Sequence, residues 1–199
     1  VRDRKAARSA RTRQRLLREA RRLFTTRGYD ATSAQLVAER AGITRAALYY
    51  HFRDKRALFR AACENLENAC IESIERAVEQ APDFWGQVDA ATQAMLDAFL
   101  DPAYVRVVFR DGPAVLGWRE WHAIVGRFGR HQLRVGLEVA MDEGLVPRRP
   151  AAALARVITG AINEAGLAIA DADDPKRARA EYGAVMDALL EGLLQPSQP

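Results

Sequence analysis

The side chains with the most chemistry to offer lie between Gly28 and Arg60, in the run GYDATSAQLVAERAGITRAALYYHFRDKRALFR. Arg45 and Tyr49, and likewise Ala46 and Tyr50, are pairs four apart that share one side of a predicted helix. That side is cationic and aromatic, the kind of face that lies against a major groove. The other side carries Leu48 and Phe52, also four apart, which anchor the helix against Val37, Ala41 and Ile43. Lys55 follows where the next helix starts. A cation there opposes the helix macrodipole, so a phosphate partner explains it better than helix stability does.

The elements that must hold these side chains can be read from local rules. Thr32 and Ser33 are hydroxylated residues able to N-cap a helix running to Ala41. Gly42 breaks that helix by adopting the left-handed conformation a tight turn needs, and Ile43 plugs the turn from below. Thr44 caps the next helix, Arg45 to about Arg53. Two short helices about a glycine turn form a helix-turn-helix. Charge gives that motif its context. Residues 1–60 hold 17 Lys+Arg against 5 Asp+Glu, whereas residues 61–199 hold 13 against 21, within a chain of net charge +4. Positive charge concentrated on the motif is the footprint of a polyanion binder. Arginine outnumbers lysine 27 to 3, so the asymmetry between the two parts of the chain carries the argument, and the arginine count alone does not.

These residues resemble the TetR family of transcriptional regulators, the tetracycline-repressor-like proteins. The resemblance covers about residues 10–60 and rests on Phe24, Gly28, Thr32, Ser33, Ala38, Ala41, Gly42, Ile43, Thr44, Leu48, Tyr49, His51, Phe52, Lys55 and Leu58. It implies that Thr32, Ser33, Tyr49, Tyr50, His51 and Lys55 touch phosphates and that Gln35, Arg45 and Ala46 reach base edges. Many family members have glycine where Ala46 stands, which makes close backbone approach to DNA a point of departure here. Beyond residue 60 the resemblance implies architecture only.

Strand-like alternation is absent and apolar residues recur at helical spacing, so the expected fold is all-α with about nine helices. The expected organisation is a DNA-binding domain over 1–53, with a basic N-terminal arm, and a ligand-binding and dimerisation domain over 54–199. Helices are predicted at about Arg8–Arg27, within the motif, from Asp54 to about Gln80, and then at Asp83–Leu100, Pro102–Arg110, Trp118–Glu143, Pro150–Ala170 and Asp174–Leu194. The helix from Asp54 is too long for the small domain, which makes it a lever into the second. The last two helices are apolar over more than one core face, and a four-helix interface across a twofold axis would cover them. Dimerisation also doubles the few base pairs that one recognition helix reads.

Cys63 and Cys70 are seven apart on one helix, ~10 Å along its axis, too far for a disulfide, and read as small core residues suited to a reducing cytoplasm. No uncharged apolar run approaches the ~18 residues of a membrane span. Met95, Phe99, Phe109, Trp118, Trp121 and His122 form the most aromatic stretch of the second part, and either pack a core or line a small-molecule cavity together with Asn163. Asn163 and Glu164 need polar partners, from a ligand or across a dimer interface. His122 and His131 are nine apart and face opposite ways, so they share no metal from one helix. No metal site, cofactor site or catalytic constellation is expected, and the chain does not read as an enzyme. The reading is a homodimeric repressor of a palindromic operator, released by a small apolar or amphipathic effector, in the bacterial cytoplasm and on the nucleoid when bound to DNA. An effector-independent architectural DNA-binding protein, or a ligand carrier or enzyme with a vestigial DNA module, are the rival readings.

Overall fold

The computed structural model describes residues 2–126 and 129–194. Among them every regular element is helical: ten α-helices and one π-helix. The helices are α1 (Arg2–Arg27), α2 (Ala34–Arg40), α3 (Arg45–His51), α4 (Lys55–Glu79), α5 (Phe84–Ala98), the π-helix (Tyr104–Arg110), α6 (Gly112–Leu116), α7 (Trp118–Val125), α8 (Gly129–Asp142), α9 (Ala151–Asp171) and α10 (Pro175–Leu194). The chain forms two compact units, one of residues up to Glu67 with Pro102–Trp121, the other of Asn68–Asp101 with His122 onward. α4 contributes its first half to one unit and its second half to the other.

In the first unit, α1 buries Leu16, Ala20, Leu23 and Phe24, and Val37, Leu48, Leu58 and Phe59 are buried in the same unit. The Phe59 ring meets Phe24 and Tyr29 edge-on, with centroids 5.0 and 5.1 Å away. α1 starts at Arg2, earlier than the expected start near Arg8, so the basic segment is a continuation of the helix. Its arginines, alanines and lysine are good helix formers with no glycine or proline to stop them. The helix expected at Pro102–Arg110 is a π-helix over most of its length, closed at its end by the Asp111 N–H donating to the Arg106 carbonyl at 2.9 Å. The Gly112-Pro113 pair, read as a break, opens the short helix α6, since proline is tolerated in a first turn.

The second unit is built from α5, α8, α9 and α10 about Leu96, Leu137, Met141, Ile158, Ile162, Ile169, Met186 and Leu190. A Cβ on Gly166 would lie 2.2 Å from the Phe99 ring, so this glycine lets the ring pack directly on the α9 backbone. Arg179 ties α10 to α5 by donating to Asp97 Oδ1 at 2.7 Å and to the Gln93 carbonyl at 3.1 Å. The single helix expected over Trp118–Glu143 is two, α7 and α8. Gly126 lies just past α7 and donates its N–H to the His122 carbonyl at 3.0 Å, and Arg130 at the start of α8 donates to the same carbonyl at 3.2 Å. One helix, α9, is long and apolar enough by length and composition to cross a membrane. Arg156 and Glu164 interrupt it, and eight of its residues belong to the buried core.

Candidate nucleic-acid interface

Local bonding builds α2 and α3 as the sequence predicts. The Ser33 hydroxyl accepts the Leu36 N–H at 3.1 Å and caps α2; the Thr44 hydroxyl accepts the Ala47 N–H at 3.2 Å and caps α3. Between them Gly42 takes φ +62°, and the Ile43 N–H reaches back to the Ala38 carbonyl at 2.9 Å, which closes the helix end. Leu48 and Phe52 are buried with Val37 and Ala41, and the Arg13 guanidinium lies 5.3 Å over the Phe52 ring. α3 is therefore pinned by one face only.

Its other face is open. Arg45, Ala46, Tyr49 and Tyr50 are exposed, Tyr50 by 80%. The Arg45 guanidinium sits 5.6 Å from the Tyr49 ring centroid, which restricts the arginine without using its donors. Tyr50 packs edge-on against the half-buried His51 at 5.2 Å. Ser33, Gln35 and Thr44 are exposed too, and the Gln35 amide donates to Glu39 Oε1 at 3.0 Å. The structure thus brings Ser33, Gln35, Thr44, Arg45, Ala46, Tyr49 and Tyr50 to the surface of one helix-turn-helix.

Thr32 and Lys55 are placed differently. Thr32 is fully buried, and its hydroxyl donates to the Gly28 carbonyl at 2.8 Å, so it holds the turn before α2 and offers no hydroxyl to a phosphate. Lys55 Nζ donates to the Tyr29 carbonyl at 3.1 Å and lies 3.9 Å from that ring's centroid. An internal partner therefore accounts for a cation at the start of α4. Tyr29 in turn has its hydroxyl pKa raised, chiefly by burial. Asp54 caps α4 by accepting the Ala57 N–H at 2.7 Å, and this bond holds its carboxyl below the usual range.

Several residues behind the motif were not singled out from the sequence. Asp111 accepts the Tyr29 N–H at 3.0 Å and Arg106 Nε at 3.1 Å, so the end of the π-helix grips the α1–α2 turn. Gly28 in that turn has φ +78°, and a Cβ there would meet Arg106 Nη2 at 2.4 Å. Arg56 donates to the carbonyls of Val115 and Leu116 at 3.2 and 2.8 Å and pairs with Glu120, which also pairs with Arg60 at 3.3 Å. Glu67 is buried and accepts the Tyr104 hydroxyl at 3.0 Å; burial raises its pKa to about 7, against the lowering effect of that bond. Glu67 follows Leu66 on the apolar stripe of α4, and that register was the one available signal.

The residues expected to line a ligand cavity divide between the units. Phe109, Trp118 and Trp121 belong to the first, where Phe109 and Trp121 meet edge-on at 5.8 Å and the Trp121 N–H donates to the Val108 carbonyl at 2.6 Å. Trp118 is 66% exposed. Met95, Phe99, His122 and Asn163 belong to the second unit. There Cys70 Sγ lies 3.7 Å from Met95 Sδ, and Arg130 lies 3.3 Å from His122 Nδ1. Burial lowers the His122 pKa. Asn163 Oδ1 is buried with no hydrogen-bond donor among the described residues, whereas Glu164 is exposed. Cys63 is buried, donates to the Val107 carbonyl at 3.3 Å and has its thiol pKa pushed far up by burial, as a core cysteine should.

An all-helical chain with a capped turn, a recognition helix pinned on one face and open on the other, and a separate helical unit has the architecture of a helix-turn-helix transcription regulator. Comparison with known proteins agrees. Residues 16–62 match the family described as bacterial regulatory proteins, tetR family, and residues 85–193 match the tetracyclin repressor-like C-terminal domain. The chain belongs to the TetR family, whose members are DNA-binding transcriptional regulators. A crystal structure of a TetR-family transcriptional regulator from Pectobacterium atrosepticum is 32% identical, with a TM-score of 0.79 over 96% of this chain and 98% of that one. The transposon Tn10 TetC protein of Escherichia coli is 26% identical over 113 residues, 57% of each chain. The regulator AcrR of Shigella flexneri is 50% identical over 48 residues, 24% of this chain and 22% of its own length. The chain thus matches little more than half of the first of these curated relatives and less of the second.

Proposed function

We propose that this protein is a homodimeric repressor that binds a palindromic operator through α2 and α3 and is released from it by a small apolar or amphipathic effector. The observation that carries this reading is the face of α3, where Arg45, Ala46, Tyr49 and Tyr50 are exposed while Leu48 and Phe52 anchor the helix from behind. Arg45, Ala46 and Gln35 read base edges; Ser33, Thr44, Tyr49, Tyr50 and His51 hold phosphates; Lys55 acts mainly by fixing the Tyr29 turn. Two copies pair through α9 and α10, which sets the spacing of the two recognition helices.

The effector binds in the second unit, near Met95, Phe99 and Asn163. The buried Asn163 Oδ1 supports this, because an acceptor without a donor favours a ligand that supplies one. α4 is shared by both compact units and is the element suited to link effector and operator. The effector acts only through its difference in affinity for the two states. A tenfold loss of operator affinity corresponds to about 1.4 kcal/mol of coupling.

Selecting bound fragments from genomic DNA and titrating the recovered palindrome tests the reading. Arg45→Ala and Tyr49→Ala should each weaken operator binding, Arg45→Ala by roughly 1 to 3 kcal/mol if it makes a base contact. Binding that is indifferent to both substitutions, or that shows no palindrome, would remove the recognition role from α3.

A further inference from the structure

The helical start of α1 puts six arginines in one row. Arg4, Arg8, Arg11, Arg15, Arg18 and Arg22 are spaced four, three, four, three and four residues apart, and at 100° per residue all fall within about 40° of one line. The row spans roughly 27 Å along the helix axis. All six are exposed, and they lie opposite the side that buries Leu16, Ala20, Leu23 and Phe24.

Folding does not explain the row. Like charges three and four apart on a helix repel, and a cation in a first turn opposes the macrodipole. Arg22 has a partner, Glu19 at 3.1 Å. Among the described residues, Arg4, Arg8, Arg11 and Arg18 form no ion pair with a carboxylate. General arginine richness does not account for the alignment, since Arg13, off the row, is used for packing over Phe52. Arg15 locates the row relative to the motif: its guanidinium donates to the Ala41 carbonyl, three residues before the Thr44 cap of α3. The middle of the row therefore stands beside the turn that leads into the recognition helix.

We propose that the outer face of α1 is a second DNA-contacting surface, a row of arginines that follows the phosphate backbone of the same duplex without reading its bases. This rests on the reading of the chain as a DNA-binding regulator and extends its contact beyond α2 and α3. Guanidinium groups suit phosphate oxygens, and such contacts position a protein while carrying no sequence information.

Each neutralised phosphate contributes about 0.9 to the slope of log affinity against log salt concentration. The quadruple variant Arg4→Gln, Arg8→Gln, Arg11→Gln and Arg18→Gln is compared with a charge-matched control at exposed sites elsewhere, Arg76→Gln, Arg119→Gln, Arg148→Gln and Arg149→Gln. Circular dichroism of both variants confirms unchanged helix content. The row variant should lower the slope by about 3 to 4 on operator and random duplex alike. Its ratio of operator to random affinity should stay at the wild-type value, and the control slope should stay near wild type. An unchanged slope in the row variant, or an equal fall in the control, overturns the proposal. A change confined to the operator also overturns it, because the row would then be reading sequence. Failure of the wild type to bind any duplex would instead sink the DNA-binding reading itself, a distinct result.

Discussion

Burial and a single hydrogen bond pull the Glu67 carboxyl in opposite directions. The Tyr104 hydroxyl at 3.0 Å favours the carboxylate, while its apolar surroundings favour the neutral acid, and burial prevails to place the pKa at about 7. The folded state therefore holds a proton more tightly than the unfolded chain, whose value is 4.5. Stability from this group is fully present below pH 4.5 and is lost as pH rises to about 7, by up to ~3 kcal/mol at 1.36 kcal/mol for each pH unit. Glu67→Gln keeps the acceptor for Tyr104 and removes the titration. Urea unfolding of both proteins from pH 5 to 8 should show the wild type losing stability relative to the variant as pH rises, with the difference levelling above pH 7. A constant difference across that range would mean that Glu67 ionises as an ordinary carboxylate.

At the scale of elements, the helices that local rules govern were readable and those set by distant partners were not. α2 and α3 follow from Ser33, Gly42 and Thr44, each acting within five residues, so their type and spacing sufficed. The exposed faces of Arg45, Ala46, Tyr49 and Tyr50 followed from the same short-range periodicity. The π-helix leaves no such mark, because Tyr104–Arg110 is apolar on nearly every side and lacks a helical phase. The break between α7 and α8 is accompanied by Arg130 reaching the His122 carbonyl, a contact that residue types alone do not announce. The family resemblance implied a phosphate contact for Thr32, yet its hydroxyl donates to the Gly28 carbonyl. Asp111 was illegible because its partner Tyr29 lies 82 residues away. That clasp is nonetheless what ties the π-helix to the α1–α2 turn. Asp111→Ala leaves the Tyr29 N–H without its acceptor and Arg106 without its carboxylate, at a cost of about 1 to 2 kcal/mol after allowing for the partial exposure of the ion pair. Chemical denaturation should give a lower midpoint, and hydrogen exchange should show faster opening at residues 28–32 than at the α3 anchor. Uniformly faster exchange would mean that Asp111 supports the whole unit and not this turn.

In the second unit, α9 and α10 present an apolar surface that a lone chain does not cover. On α9 Val157 is 61% exposed, and on α10 Val185 is 64% exposed, with Tyr182 and Leu189 exposed in the same stripe. The opposite sides of these helices already fill the core with Ile158, Ile162, Met186 and Leu190, so both helices are apolar on two faces. Gly160 stands on the outer side of α9 with open space where a Cβ would be, which leaves room for another helix to approach closely. Such a surface suits an association site, and in the proposed dimer a second copy across a twofold axis would cover both with one set of residues. Symmetry doubles the effect of any substitution there. In the proposed dimer, Val157→Glu combined with Val185→Glu would place four carboxylates in the closed interface, where each would need a partner to offset its desolvation. The wild type should sediment as a dimer at micromolar concentration and the double variant as a monomer, with helix content preserved because the substituted side chains lie outside the core. Operator affinity should fall with it, since one recognition helix reads only half of a palindrome, while binding to a single half-site should persist. A double variant that stays dimeric would move the interface away from α9 and α10. A monomer that still holds the full palindrome at wild-type affinity would separate operator recognition from dimerisation.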